Sequence, residues 1–182
     1  MGARLEILEL IVMFDKEWVK TILYFIVMLL CVYLLIHYVG QRTVVDGGSM
    51  ETTLYDGDNL ILDKISYRFS DPKRYDIVVF PVEDDFYIKR VIGLPGETVD
   101  IIDGKVWIDG EELASDTFGK EPIEYPGLIE MPVTLGEDEY FCMGDNRNNS
   151  TDSRDIGPIA RDRLEGKIWI RIFPFKKFGA VH

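Results

Sequence analysis

A mainly β domain, tethered by one N-terminal transmembrane helix, is the architecture this sequence predicts. Three observations carry it. The stretch Thr21 to Val39 contains no Asp, Glu, Lys or Arg. Beyond residue 48 the helical period disappears, and short β-branched or aromatic runs alternate with turn residues. Near the C-terminal end, the polar run Gly144 to Arg154 sits between apolar Tyr140-Phe141-Cys142-Met143 and Ile156-Gly157-Pro158-Ile159. A loop so dense in Asp, Arg, Ser and Asn can hydrogen-bond itself into a fixed shape, as walls of active sites often do.

Taken in order, residues 1–17 read as a cytoplasmic tail and 18–39 as the membrane helix. About 19 residues at 1.5 Å rise just span a hydrocarbon core of about 30 Å. Trp18 and Tyr38 mark its ends, where amphipathic rings favour the headgroup level. No small-x-small cleavage site follows Val39 directly, which favours a retained anchor over a removed leader. Arg4, Lys16 and Lys20 precede the run and only Arg42 follows it closely, so the positive-inside rule puts the N-terminus in the cytoplasm. Leu5 to Phe14, apolar with interspersed acids, reads as a short helix lying in the interface. His37 sits near the outer end of the run and reads as snorkelling to the interface, and His182 is terminal. Neither offers histidine chemistry.

Residues 40–48 read as a linker ending in Asp46-Gly47-Gly48, and 49–182 as the extracytoplasmic β-rich domain. Strands are expected at Leu60–Leu62, Ile77–Phe80, Tyr87–Ile92, Thr98–Ile102, Val106–Ile108, Tyr140–Phe141 and Ile168–Phe173. Asp103-Gly104 is a hairpin signal, because both residues accept the positive φ of a type I′ turn. Leu94-Pro95-Gly96-Glu97 places Pro and Gly where a type II turn wants them. Glu111 to Val133 reads as a surface excursion.

Composition narrows the function. Twenty basic against 32 acidic residues give a formal charge of −12, which argues against nucleic acid as a partner. Cys31 and Cys142 show neither a metal spacing nor a disulfide framework. No metal and no cofactor is expected.

Two segments besides the polar loop could carry chemistry. In Gly47-Gly48-Ser49-Met50 a serine follows a pair of residues without Cβ atoms, so backbone can approach a substrate and N–H groups can face a developing oxyanion. Alone this is weak, since Gly-Gly-Ser is also ordinary linker composition. In Tyr87-Ile88-Lys89-Arg90-Val91-Ile92, Tyr87, Lys89 and Val91 share one strand face while Ile88, Arg90 and Ile92 share the other. Both faces are otherwise apolar, so at least one cation enters a partly buried surface. An edge-strand lysine that guards against aggregation is one reading. The other is a lysine kept neutral by desolvation. Bringing lysine from near 10.4 towards 7 is a shift of about 3 units, or roughly 4 kcal/mol, which burial can supply. A neutral amine can take the proton of a serine hydroxyl, a Ser/Lys dyad that needs no histidine.

On these residues the chain resembles the type I (bacterial leader) signal peptidases. Ser49-Met50-Glu51-Thr52-Thr53-Leu54 is similar to their nucleophile box, Tyr87 through Glu97 to their lysine box, and Gly144 through Arg154 to their Gly-Asp-Asn-Arg box. The boxes occur in the family's order behind an N-terminal anchor. The resemblance implies a serine endopeptidase that removes signal peptides from exported preproteins after small-x-small sites. It implies Ser49 as nucleophile and Lys89 as general base, with Ser150 hydrogen-bonding the Lys89 amine. Asp152 and Arg154 would be an ion pair in the wall, and Asp145 a further structural acid there. Met50, Leu54, Tyr87 and Ile88 match positions lining the substrate pockets. Its implied partners are signal peptides, the lipid bilayer and the secretion translocon.

Two positions depart from the family's pattern. Thr52 stands where members usually carry proline, which would fix φ in the turn that aims Ser49. Gly47 stands where many carry a hydroxyl that donates to the oxyanion, and losing one such donor costs about 3 to 4 kcal/mol in the transition state. The alternative function is therefore a membrane-tethered peptide-binding β-domain with little or no turnover. Ser49, Lys89 and Ser150 are all present, which argues against it. A self-cleaving repressor of the same Ser/Lys type would need an N-terminal DNA-binding domain where this chain has its apolar run. Ser70-Asp71-Pro72-Lys73 has the Ser-x-x-Lys spacing of penicillin-recognising enzymes without their partner motifs, and Asp145 to Asp152 lacks the bidentate Glu of a calcium loop.

Overall fold

The computed structural model describes residues 2–38 and 40–181, with side chains at 16–34 and 40–181. The interfacial placement expected for Leu5 to Phe14, the side chains of Arg4, His37 and Tyr38, and His182 lie outside the described residues. The chain divides into two units, 1–39 and 40–182. The first is helix α1 (Gly2–Tyr38), in which Lys16–Leu34 is long and apolar enough to cross a membrane.

The second unit contains β1 (Gly40–Val44), β2 (Asn59–Asp63), β3 (Ile77–Val82), β4 (Asp85–Gly93), β5 (Thr98–Ile102), β6 (Lys105–Ile108), β7 (Glu111–Glu112), β8 (Val133–Thr134), β9 (Glu139–Met143), the single turn α2 (Ser153–Ile156), β10 (Ile159–Ala160), β11 (Gly166–Phe173) and β12 (Gly179–Ala180). The fold is mainly β, as the sequence predicts. Residues 40–44 depart from the expected linker: they pair with β2 from Gly40↔Asp63 to Val44↔Asn59. Gln41, Arg42 and Val44 are exposed there, so this edge strand shows no apolar alternation to read.

All pairings are antiparallel. The larger sheet runs β1-β2-β11-β3-β4-β9-β10, with β12 beside β11, and the smaller runs β7-β6-β5-β8. In β3 the residues alternate between two cores. Ile77 and Val79 join Val45, Met50, Leu54, Leu60, Leu62 and Ile168, while Val78 and Phe80 join Tyr67, Val91, Tyr140, Cys142 and Ile159. Burial on both faces is why β3 reads as a continuous apolar run. The third core, around Ile92, Val99, Val106, Phe141 and Met143, joins the two sheets.

The turns follow their chemistry. Asp103 and Gly104 hold φ of 51° and 74°, the pair of positive angles a type I′ hairpin requires. Gly96 holds φ 80°, and Glu97 N–H donates to the Leu94 carbonyl at 3.1 Å. The excursion 111–133 begins in β7 and ends in β8, and between them Ile123 is buried in the third core. This anchoring makes it a strap across the domain rather than a loose surface loop.

Candidate active site

Ser49 lies in a tight turn between β1 and β2. The backbone N–H groups of Thr53 and Leu54 both donate to the Met50 carbonyl, at 2.9 and 2.8 Å. These bonds close the turn with Thr52 in place of the family's proline. At the other departure, Gly47 holds φ 84° and its N–H donates to Asp56 Oδ1 at 3.0 Å. Within the chain the Ser49 N–H has no hydrogen-bond partner among the described residues.

Strand β4 brings the lysine to this turn. Lys89 is only 4% exposed, and its Nζ is hydrogen-bonded to Ser49 Oγ at 2.7 Å. Burial is the main cause of a pKa lowered to about 8; the nearby Asp152 opposes the shift and Arg154 supports it. Among the described residues no carboxylate lies within ion-pair distance of Lys89. The ammonium is therefore disfavoured by lost hydration without a paired acid to restore it.

Its neighbour Arg90, on the opposite face, is fully buried and satisfied on every side. Nε and Nη2 donate to the two oxygens of Asp145 at 2.8 and 2.7 Å, Nη1 donates to the Tyr75 carbonyl at 2.9 Å, and the Phe118 ring covers the guanidinium at 3.6 Å. Fork geometry and exclusion of water make this a strong, rigid pair.

The polar loop 144–154 forms the rest of the wall. Asp152 accepts from Arg154 Nε and Nη2, both at 2.8 Å, from the Gly144 N–H at 2.9 Å and from Ser150 Oγ at 2.8 Å. The ion pair expected of Asp152 and Arg154 is present and buried. The bond expected from Ser150 to the lysine is not found among the described residues; the Ser150 hydroxyl donates to Asp152. The Asn146 N–H holds the Ser49 carbonyl at 3.0 Å, and Asn146 Nδ2 donates to the Gly48 carbonyl at 3.1 Å. Gly144 permits this approach, since a Cβ there would lie 2.5 Å from the Ser49 carbonyl oxygen.

A groove of about 430 Å³ opens in front of the dyad. Thr43 to Asp46 form one wall, Asp85 to Lys89 the other, and Ser49, Met50 and Thr151 line it between them. Met50, Tyr87 and Ile88 line this groove, Met50 while 1% exposed and packed in the first core. Leu54 does not. It is fully buried in the core with Leu60, Leu62 and Ile168.

The family model described as "Signal peptidase, peptidase S26" matches residues 16–173. This chain belongs to the signal peptidase family of serine endopeptidases. A probable signal peptidase I-2 of Synechocystis is 38% identical over 79% of this chain and 68% of its own length. Signal peptidase I T of Bacillus subtilis is 37% identical over 88% of this chain and 86% of its own. A crystal structure of a signal peptidase I from Enterococcus faecalis is 34% identical, covering 54% of this chain and 97% of that one, with a TM-score of 0.46.

Several residues of this signal peptidase site escape a reading of the sequence. Arg90 was visible as a buried cation, but its partner Asp145 lies 55 residues away. The strap contributes Asp116, whose carboxylate pairs with Arg147 at 2.6 Å, and Phe118 on Arg90. It also contributes the Tyr125 carbonyl, which accepts from Arg154 Nη1 at 3.1 Å. A Phe in a polar stretch, ahead of the excursion's three prolines, is the one signal that could have marked it as anchored.

Proposed function

We propose that Ser49 and Lys89 are the nucleophile and general base with which this peptidase removes signal peptides from preproteins after small-x-small sites. The observation that carries this is the 2.7 Å contact between Ser49 Oγ and a buried Lys89 with no paired carboxylate. Lys89 takes the hydroxyl proton as Ser49 Oγ bonds to the scissile carbonyl carbon. The oxyanion is stabilised by the Ser49 N–H, which is free to donate. On collapse the C–N bond breaks, and Lys89 gives its proton to the leaving amine. A water then attacks the ester while Lys89 accepts its proton. The ester C–O bond breaks and the proton returns to Ser49, so the cycle closes with no net change in the enzyme.

The preprotein lies extended in the groove. Among the described residues strand β1 has one partner, β2, and residues 85–89 of β4 pair on one side only, with β3. Each groove wall thus offers unpaired backbone groups to a peptide, and Met50, Tyr87 and Ile88 shape shallow pockets that select small side chains. In this reading α1 is a retained anchor over 18–39, with 1–17 cytoplasmic and 49–182 outside, and the bilayer and the secretion translocon are partners. The apolar, charge-free run and the basic residues before it support that orientation.

The test is cleavage of a small-x-small preprotein by the full chain in detergent. The wild type should cut once at that site, and Ser49→Ala and Lys89→Ala should not. Cleavage retained in either variant overturns the dyad. No cleavage by the wild type of any preprotein favours the peptide-binding alternative.

A further inference from the structure

The turn that carries Ser49 is joined to the Arg90–Asp145 pair through the side chain of Thr53. Thr53 Oγ1 donates to Asp145 Oδ2 at 2.5 Å and accepts from Arg90 Nη2 at 3.3 Å. Its carbonyl accepts from Arg171 Nη2 at 2.8 Å, and its N–H donates to the Met50 carbonyl. All four of its polar contacts are therefore directed, three to buried charged side chains and one back into its own turn. Arg171 is in turn held by Asp58 at 3.2 Å.

The position of this joint is what gives it consequence. Arg90 follows Lys89 directly in β4, and Asp145 begins the loop whose Asn146 N–H holds the Ser49 carbonyl. The Arg90–Asp145 pair thus fixes the base through one neighbour and the loop through the other. Thr53 is the point at which the nucleophile's own turn meets that same pair. With no proline at 52 to stiffen the turn, a directed bond on the next residue supplies the rigidity that a fixed φ would give.

We propose that Thr53 is a positioning residue of the hydrolytic reaction: its hydroxyl locks the Ser49 turn onto the Arg90–Asp145 pair and so sets the distance between Ser49 Oγ and Lys89 Nζ. This rests on the dyad reading above. Thr53 does not line the groove, so its loss leaves substrate affinity in place while the attacking oxygen drifts. A misplacement of about 1 Å can cost about a hundredfold in rate.

The experiment uses the full chain in detergent with Thr53→Val, which keeps shape and removes the hydroxyl, and Thr53→Ser, which restores it. Wild type and Ser49→Ala are run alongside on a small-x-small preprotein. We expect kcat to fall about ten- to a hundredfold in Thr53→Val with KM within about twofold, and kcat to return to within about threefold of wild type in Thr53→Ser. Wild-type kcat in Thr53→Val, or an equal loss in both variants, overturns the inference. So does a rise in KM with kcat unchanged. If Thr53→Val fails to fold, Thr53→Ser decides alone: near wild-type kcat supports the hydroxyl joint and a tenfold loss refutes it. An inactive wild type, or an active Ser49→Ala, would sink the dyad reading instead, so the two failures are told apart.

Discussion

Lys89 and Arg90 are adjacent cations on one strand, both buried, yet their surroundings are opposite. Arg90 meets a forked carboxylate, a carbonyl, a hydroxyl and an aromatic face. Lys89 meets a hydroxyl, with the Tyr87 ring 5.1 Å away, and no carboxylate in contact. Guanidinium stays charged at any working pH, so burying it demands a partner. An ammonium can shed its proton, so burying it without a partner makes a base. Two cations at consecutive positions thus become a structural tie and a titrating group through their neighbours alone.

The largest expected effect breaks the asymmetry. Lys89→Arg keeps the charge and cannot deprotonate, and preprotein cleavage should drop by about 10⁴-fold or more. Activity within tenfold of wild type would mean that charge, not base strength, is what the site needs. Next comes stability. Arg90→Met strands the Asp145 carboxylate in the interior and should cost about 3 to 5 kcal/mol, read from denaturant unfolding in detergent. Lys89→Met should act in the other direction and stabilise by about 1 to 3 kcal/mol at pH 7.

The smallest effect is the pH dependence of that difference. Because the folded pKa of Lys89 is depressed to about 8, the unfolded chain holds more protons between that value and the ordinary lysine range. Stability therefore rises with pH across this window, and the advantage of Lys89→Met should shrink towards its upper end. Over the same titration kcat/KM should climb about tenfold per unit below pH 8 and then level. A profile flat from pH 6 to 9 would refute a desolvated base.

How far the sequence revealed this arrangement depends on the range of the cause. Strands β2 to β6, β9 and β11 were legible because β-branched and aromatic residues cluster in them. The two-residue strands β7, β8, β10 and β12 show no period, and β1 is a polar edge. Ser49, Lys89 and the polar loop were legible as motifs, and the two faces of β4 from alternation alone. What stayed hidden were contacts between distant segments. Arg90 with Asp145, Arg147 with Asp116 and Arg154 with Tyr125 join residues 55, 31 and 29 positions apart. Leu54 packs with Leu60, Leu62 and Ile168, contacts that the six residues from Ser49 to Leu54 cannot show. Ser150 has Asp152, two residues on, as its partner, a local bond that the motif by itself does not show.

The unpaired edges of β1 and of residues 85–89 have a consequence for turnover. A peptide held there by its backbone keeps those bonds after the cut, so cleavage by itself does little to loosen the severed signal sequence. What the cut adds is a carboxylate at the new C-terminus, created beside Ser49 and Lys89. A protonated Lys89 would attract that anion and a neutral one would not. In the dyad reading, the proton state that readies the enzyme for attack is thus also the one that exerts no charge attraction on the new carboxylate.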